Sequence, residues 1–289
     1  MLHQDEPDYR RIFIAILLSA ALLIYWQINV EWPRRQALAK FATEQEQKKK
    51  KETALIANKL PSPAKDAEEN LSLTREERVA ASPRITIKSD KLSGSIAQKG
   101  ARFDDVSLLR YRRDVAPESP KVVLFSPNGD ASGYFAQIGW LPGESAIKTP
   151  DQNTLWKADN TELTPEKPVN LRWENGQGVT FLLTIALDEN YMFSIDQKVE
   201  NTGSAPISVM PYAYINRTYE IPKRAVFLHE GPLGVVNEAL EEIGYEALKE
   251  KGNTVFEHAT GWFGITDHYW FSALIPEGGE HKVTFSHYN

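Results

Sequence analysis

The sequence predicts a mainly β domain preceded by one apolar helix and a charged linker. Three observations lead there. Residues 12–28 form a run without any ionisable group. Residues 31–82 are charged and low in complexity. From residue 83 the hydrophobic period becomes two, with turn residues at close spacing. A chain of 289 residues has room for one large β domain besides an anchor. Hydrophobic residues at 42% and charged residues at 25% are the proportions of a chain that folds. A net charge of −6 and the lack of a basic stripe argue against a nucleic-acid partner. There is no cysteine, which excludes a thiolate nucleophile, a disulfide framework and a zinc–thiolate site.

The apolar run reads IFIAILLSAALLIYWQI, and ten of its residues are Ile, Leu or Phe. As a helix it rises roughly 25 Å, the short end for a bilayer core, and Asn29 and Val30 extend it. Tyr25, Trp26 and Trp32 sit where an interfacial aromatic belt would form, and Arg10 and Arg11 close the other end. A cleaved signal would need small residues just after the run, but Ser19, Ala20 and Ala21 lie inside it. A buried core helix would not be apolar all round. An uncleaved transmembrane anchor over 12–30 is therefore expected. Basic residues on both sides, Arg10 and Arg11 against Arg34, Arg35 and Lys40, leave its orientation open.

The linker, 31–82, contains Glu44-Gln-Glu-Gln-Lys-Lys-Lys-Lys-Glu52, which has no apolar face. It is expected to be a solvated helix or a disordered tether, broken by Pro61 and Pro63. A charged docking arm is the sharper alternative. In 83–289, residues 84–88 alternate, as do parts of 92–96 and 101–108, and 122–125 is a short apolar run before the turn Ser126-Pro-Asn-Gly129. Residues 169–173 and 179–187 read as a hairpin around a glycine-rich loop. Residues 191–200 alternate with Phe193, Ile195 and Val199 on one parity, interrupted by Gln197. Further strands are expected in 207–215 and 261–275, and a helix in 237–251. Many close strands predict a sandwich or barrel. The chain has no alternating βαβ pattern and no phosphate-type glycine loop, so a nucleotide-binding α/β fold is not expected.

Three passages carry a resemblance. They are Gly94-Ser-Ile-Ala-Gln-Lys-Gly-Ala-Arg-Phe-Asp-Asp105, Tyr134-Phe-Ala-Gln-Ile-Gly-Trp140 and Gly261-Trp-Phe-Gly-Ile-Thr-Asp-His-Tyr-Trp-Phe-Ser-Ala-Leu-Ile-Pro276. With Asp8-Tyr-Arg-Arg-Ile12 before the apolar run and Pro33-Arg-Arg-Gln36 after it, the chain resembles the first part of YidC-type membrane protein insertases. The resemblance implies a cytoplasmic tail over 1–11, an inner-membrane anchor and a periplasmic domain. That domain would be a large twisted β-sandwich of the mutarotase-like supersandwich kind. The implied function is insertion and folding of integral membrane proteins, alone or with the Sec translocon. The implied partners are the lipid bilayer, nascent membrane proteins, and the translocon with its accessory subunits. Family members continue with membrane helices that hold a groove with a buried arginine. No arginine here matches it, so the chain is expected to lack the insertase groove and to end at Asn289 with its β domain incomplete.

No catalytic, cofactor-binding or metal-binding residue is assigned. The histidines are His3, His229, His258, His268, His281 and His287, and no three are spaced to chelate. Asp267 and His268 are neighbours on an expected strand and should face opposite ways. Asp104 and Asp105 read as a strand-end turn. The aromatic residues read first as sandwich core. Trp140, Trp262, Phe263, Tyr269 and Trp270 are the candidates for an apolar cleft that holds an extended peptide or a partner's loop. A membrane-tethered carbohydrate-binding or mutarotase-like sandwich is the alternative function.

Overall fold

The computed structural model describes residues 9–32, 34–36, 40, 43, 73–129, 133–143, 147–218, 229–267 and 269–288. The chain divides into two units, Met1–Leu60 and Pro61–Asn289. The lysine-rich stretch of the linker, 44–52, lies outside the described residues.

In the first unit, helix α1 spans Tyr9–Trp26 and runs into a π-helical turn, Gln27–Glu31. The change of pitch falls where the sequence turns polar, and Asn29 donates to the Tyr25 carbonyl at 3.0 Å. Phe13, Leu17, Leu18, Leu22, Leu23 and Ile24 are all exposed, and at helical spacing they spread round the axis. Among the described residues no helix is long and apolar enough to cross a membrane. Beyond Arg11 the regular helix of α1 rises only about 22 Å, so the span expected over 12–30 is met only as far as a helix.

The second unit is mainly β. Its strands are β1 (Arg84–Lys88), β2 (Leu92–Ala97), β3 (Arg102–Arg112), β4 (Lys121–Phe125), β5 (Tyr134–Pro142), β6 (Lys157–Ala158), β7 (Glu162–Leu163), β8 (Val169–Glu174) and β9 (Val179–Leu187). They continue with β10 (Phe193–Asn201), β11 (Val209–Arg217), β12 (Gly231–Val236), β13 (Ala239–Glu242), β14 (Thr254–Ala259), β15 (Gly261–Asp267), β16 (Trp270–Leu274) and β17 (His281–Phe285). A seven-stranded sheet runs β11-β5-β3-β2-β1-β7, with β4 on β3. Two four-stranded sheets run β10-β9-β8-β6 and β13-β12-β15-β16, and β14 pairs with β17.

The first two sheets make a β-sandwich. Ile85, Ile87, Ile96, Phe103 and Trp140 from one share a core with Leu171, Phe181, Leu183 and Ile185 from the other. Burying each of these side chains stabilises the fold by about 1.5–3 kcal/mol. Burial alternates along β8 and β9 accordingly. Gln197, which breaks the apolar parity of β10, donates to the Gly139 carbonyl of β5 at 3.0 Å. It is a satisfied polar group rather than an error in the pattern.

Two expectations are corrected. The helix expected over 237–251 is shorter: Ala239–Glu242 is β13, paired with β12, and the helix α3 occupies Tyr245–Lys251 behind Gly244. Leu240 is exposed on β13, so its helical spacing from Leu248 was fortuitous. Asp104 and Asp105 do not end a strand. Ser95 pairs with Asp105 and Ile96 with Phe103, which leaves Asp104 as the extra residue of a β-bulge inside β3. The bulge collects charge: Arg84 pairs with Asp104, Arg75 with Asp105, and Ser95 Oγ donates to Asp105 at 2.7 Å. Burial pushes the Asp104 carboxyl up, against the pull of Arg84. Gly94 faces the bulge with φ +137°, and a Cβ there would lie 2.0 Å from the Asp105 carbonyl oxygen.

Arg75 belongs to a short helix, α2 (Arg75–Ala80), formed by the last residues of the expected linker. Thr74 caps it reciprocally: Glu77 N–H donates to Thr74 Oγ1 at 3.3 Å, and Thr74 N–H donates to the Glu77 carboxylate at 2.8 Å. Arg78 of α2 is buried and donates to the Leu73 carbonyl at 2.6 Å.

Candidate functional site

The five aromatic candidates fall in three places. Trp140 is 3% exposed in the sandwich core, packed between Trp156 and Phe181. Alternation along β15 separates its neighbours. Phe263 pairs with Leu274 and Asp267 with Trp270, so Phe263 and Trp270 share one face. Trp262 takes the other face, edge-on to Phe271 at 5.2 Å. Phe263 belongs to a smaller core with Val236, Leu248, Ala259 and Phe285. Trp270 packs against the main core and meets the Tyr111 ring edge-on at 4.9 Å. Tyr269 sits in the β15–β16 turn at φ +75°, 80% exposed. The structure thus sets Trp270 against Tyr111, with Tyr269 next to it in the turn, and does not gather all five around one cleft.

A polar cluster that the sequence did not single out lies at the foot of β5. The Tyr134 hydroxyl donates to the Ile265 carbonyl at 3.2 Å and shares a hydrogen bond with Ser272 Oγ. The Arg217 guanidinium lies 4.8 Å from the Tyr134 ring and pairs with Asp267 at 2.5 Å. Burial pushes the Tyr134 phenol up to about 12, opposed by the Ser272 bond and Arg217. At neutral pH it stays a protonated phenol. Asp267 is held by the Arg217 guanidinium as its ion-pair partner. The cluster ties the β5–β11 edge of the first sheet to β15 and β16. Two of the three resemblance passages therefore meet here, one through Tyr134 and the other through Ile265, Asp267 and Ser272. The third holds the bulge opposite Gly94.

His268 lies outside the described residues. His258 pairs with Glu280 at 2.8 Å, His229 meets the Pro232 carbonyl and His281 the Gly278 carbonyl. β17 ends at Phe285, so His281 and His287 do not share one strand. Among the described residues no group of three or more His, Asp or Glu converges on a metal position. An open polar hollow of about 650 Å³ lies elsewhere, lined by Lys88, Lys91, Arg110, Thr164, Glu166 and Glu189. None of the five aromatic candidates lines it.

The YidC periplasmic domain family matches residues 84–289. The chain is 40% identical to the "Membrane protein insertase YidC" of Rickettsia bellii over 265 residues, which is 91% of this chain and 45% of that protein. It is 37% identical to the protein of the same name from Bradyrhizobium diazoefficiens over 287 residues, 93% of this chain and 46% of that protein. It thus spans about half the length of the curated relatives it matches. Through its β domain, the chain belongs to the YidC family of membrane protein insertases.

Proposed function

We propose that this chain supplies the membrane anchor and periplasmic module of an insertase that inserts and folds integral membrane proteins, alone or beside the Sec translocon. The observation that carries the proposal is the family match across residues 84–289. In this reading α1 is the anchor over 12–30. Its described apolar side chains, from Phe13 to Trp26, are exposed and spread round the axis, an arrangement that water disfavours and lipid accepts. The π-helical turn and Trp32 prolong it into the interface. Residues 1–11 stay cytoplasmic, 31–82 tether, and 83–289 form the periplasmic sandwich, of the mutarotase-like supersandwich kind.

The module acts by holding and positioning rather than by chemistry. Tyr134 and Asp267 are committed to structural bonds, and any extended peptide or partner loop is met by Tyr269 and Trp270. Insertion itself needs a polar cavity within the membrane, because each charge carried to the bilayer centre costs at least about 2.5–3.5 kcal/mol. The uncharged run of α1 offers nothing to line one, so residues 1–289 expressed alone should not restore growth to insertase-depleted cells. Topology is the direct test. Protease added to spheroplasts should remove the β domain and leave a small membrane-embedded remnant, whereas full protection of the domain overturns the assignment.

A further inference from the structure

Six cations of the β domain, Arg84, Lys88, Arg172, Lys198, Arg217 and Lys282, each meet a carboxylate. The β3–β4 hairpin departs from this. Arg110, Tyr111, Arg112, Arg113, Asp114 and Val115 are all exposed. Among the described residues no carboxylate pairs with Arg110, Arg112 or Arg113, and Arg112 donates to the Ser119 carbonyl at 2.6 Å. Residues 109–121 carry a net charge of +2 in a chain whose net charge is −6. Apolar groups stand among these charges. Val115 is fully exposed at the tip, Tyr111 is 46% exposed against Trp270, and Tyr269 follows at 80%.

Unpaired guanidinium groups, exposed aromatic rings and a bare aliphatic tip are each unfavourable in water, and one surface suits them all. Guanidinium forks bind phosphate oxygens in pairs. Tyr and Trp rings settle at the level of lipid headgroups. We propose that the β3–β4 hairpin docks on a bilayer surface that carries anionic phosphate headgroups. The proposal rests on the anchored reading above, because a tether keeps the domain at high effective concentration beside one membrane. Docking fixes the orientation of the domain, with β3, β4 and the β15–β16 turn toward the lipid.

The chain has no native cysteine, so Val115→Cys gives a single labelling site, and Leu240→Cys on exposed β13 gives a control. Each full-length variant, carrying a polarity-sensitive probe, is reconstituted in vesicles of phosphatidylcholine alone or with phosphatidylglycerol. The probe at 115 should report a less polar site only with phosphatidylglycerol, and salt should weaken the response. Replacing Arg110, Arg112 and Arg113 together by Gln should lower the docked-to-free ratio on the order of 100-fold, about fivefold per charge. Retention after a carbonate wash reports the anchor separately. Retention together with a phosphatidylglycerol response at 115 supports both readings. Retention without that response, or with an equal one at 240, overturns the hairpin proposal and leaves the anchor standing. A response at 115 without retention supports the hairpin and overturns the anchor. Neither signal overturns both.

Discussion

Arg84→Met should cost about 3 kcal/mol of stability at pH 8, and much less at pH 5. The Arg84 and Asp104 side chains are 11% and 8% exposed, so the substitution leaves a buried carboxylate without its paired cation, held only by the weaker pull of Arg102. Breaking such a pair from one side costs about 3–5 kcal/mol. It also removes the Arg84 Nε bond to Ser95 Oγ at 2.6 Å. Protonation is the escape route. Burial already pushes the Asp104 carboxyl up, and Arg84 is the strongest influence holding it down. Without Arg84 it rises further. A folded carboxyl above its unfolded value keeps a proton that the unfolded chain releases. Its contribution is therefore present at low pH and lost as pH rises through the folded value. Urea unfolding followed by tryptophan fluorescence at pH 5 and pH 8 reads the difference. Adding Asp104→Leu to Arg84→Met should restore stability to within about 1 kcal/mol of the parent, because no charge is then left unpaired at that position. A loss independent of pH, or a double variant as unstable as the single one, would refute the reasoning.

Four other outcomes follow from described geometry. Gly94→Ala places a Cβ 2.0 Å from the Asp105 carbonyl oxygen, and should lower stability by at least about 3 kcal/mol in urea unfolding. Gly278→Ala, at φ +67° with open space around it, should cost about 1 kcal/mol. Burial pushes the phenols of Tyr134 and Tyr212 up to about 12, so between pH 10 and 12 the folded chain keeps protons that the unfolded chain loses. Stability should fall as pH rises through that window, phenolate absorbance should show tyrosines that titrate late, and Tyr134→Phe should remove one of them. Asp267→Ala, which unpairs Arg217 from its carboxylate, should lower the urea midpoint by the equivalent of about 2 kcal/mol, with the far-ultraviolet dichroism of the sheet unchanged.

Period-two alternation made β1 and β10 legible, because each has one face on the sandwich core and one toward water, and the glycine-rich turn made the β8–β9 hairpin legible. Alternation could not reveal β5. Residues 134–141 are buried on both faces, so no polar alternation survives in the sequence. β6 and β7 are two residues long and carry no period at all. The helix expected over 237–251 was too long because spacing alone set its start, where Asn237 and Glu238 at positive φ mark the β12–β13 turn. The aromatic candidates were scattered because composition shows which side chains are large but not which sheet face they occupy. The polar tie between Tyr134 and Ser272 spans a separation of 138 residues and left no local pattern. Its only trace was that both ends fell inside passages shared with a known family.

That separation has a consequence for how the domain comes into being. β5 is covered on one side by residues already made before it, but its ladder partner β11 begins at Val209 and its side-chain partner is Ser272. While the chain grows from its amino terminus, an apolar strand therefore waits, unpaired along one edge, until most of the domain has followed it. Non-local pairing of this kind is slow and open to mispairing. Shielding of that edge during synthesis should therefore raise yield without changing the stability of the finished fold. Pauses after residue 142 would be costly, and pauses after residue 272 harmless.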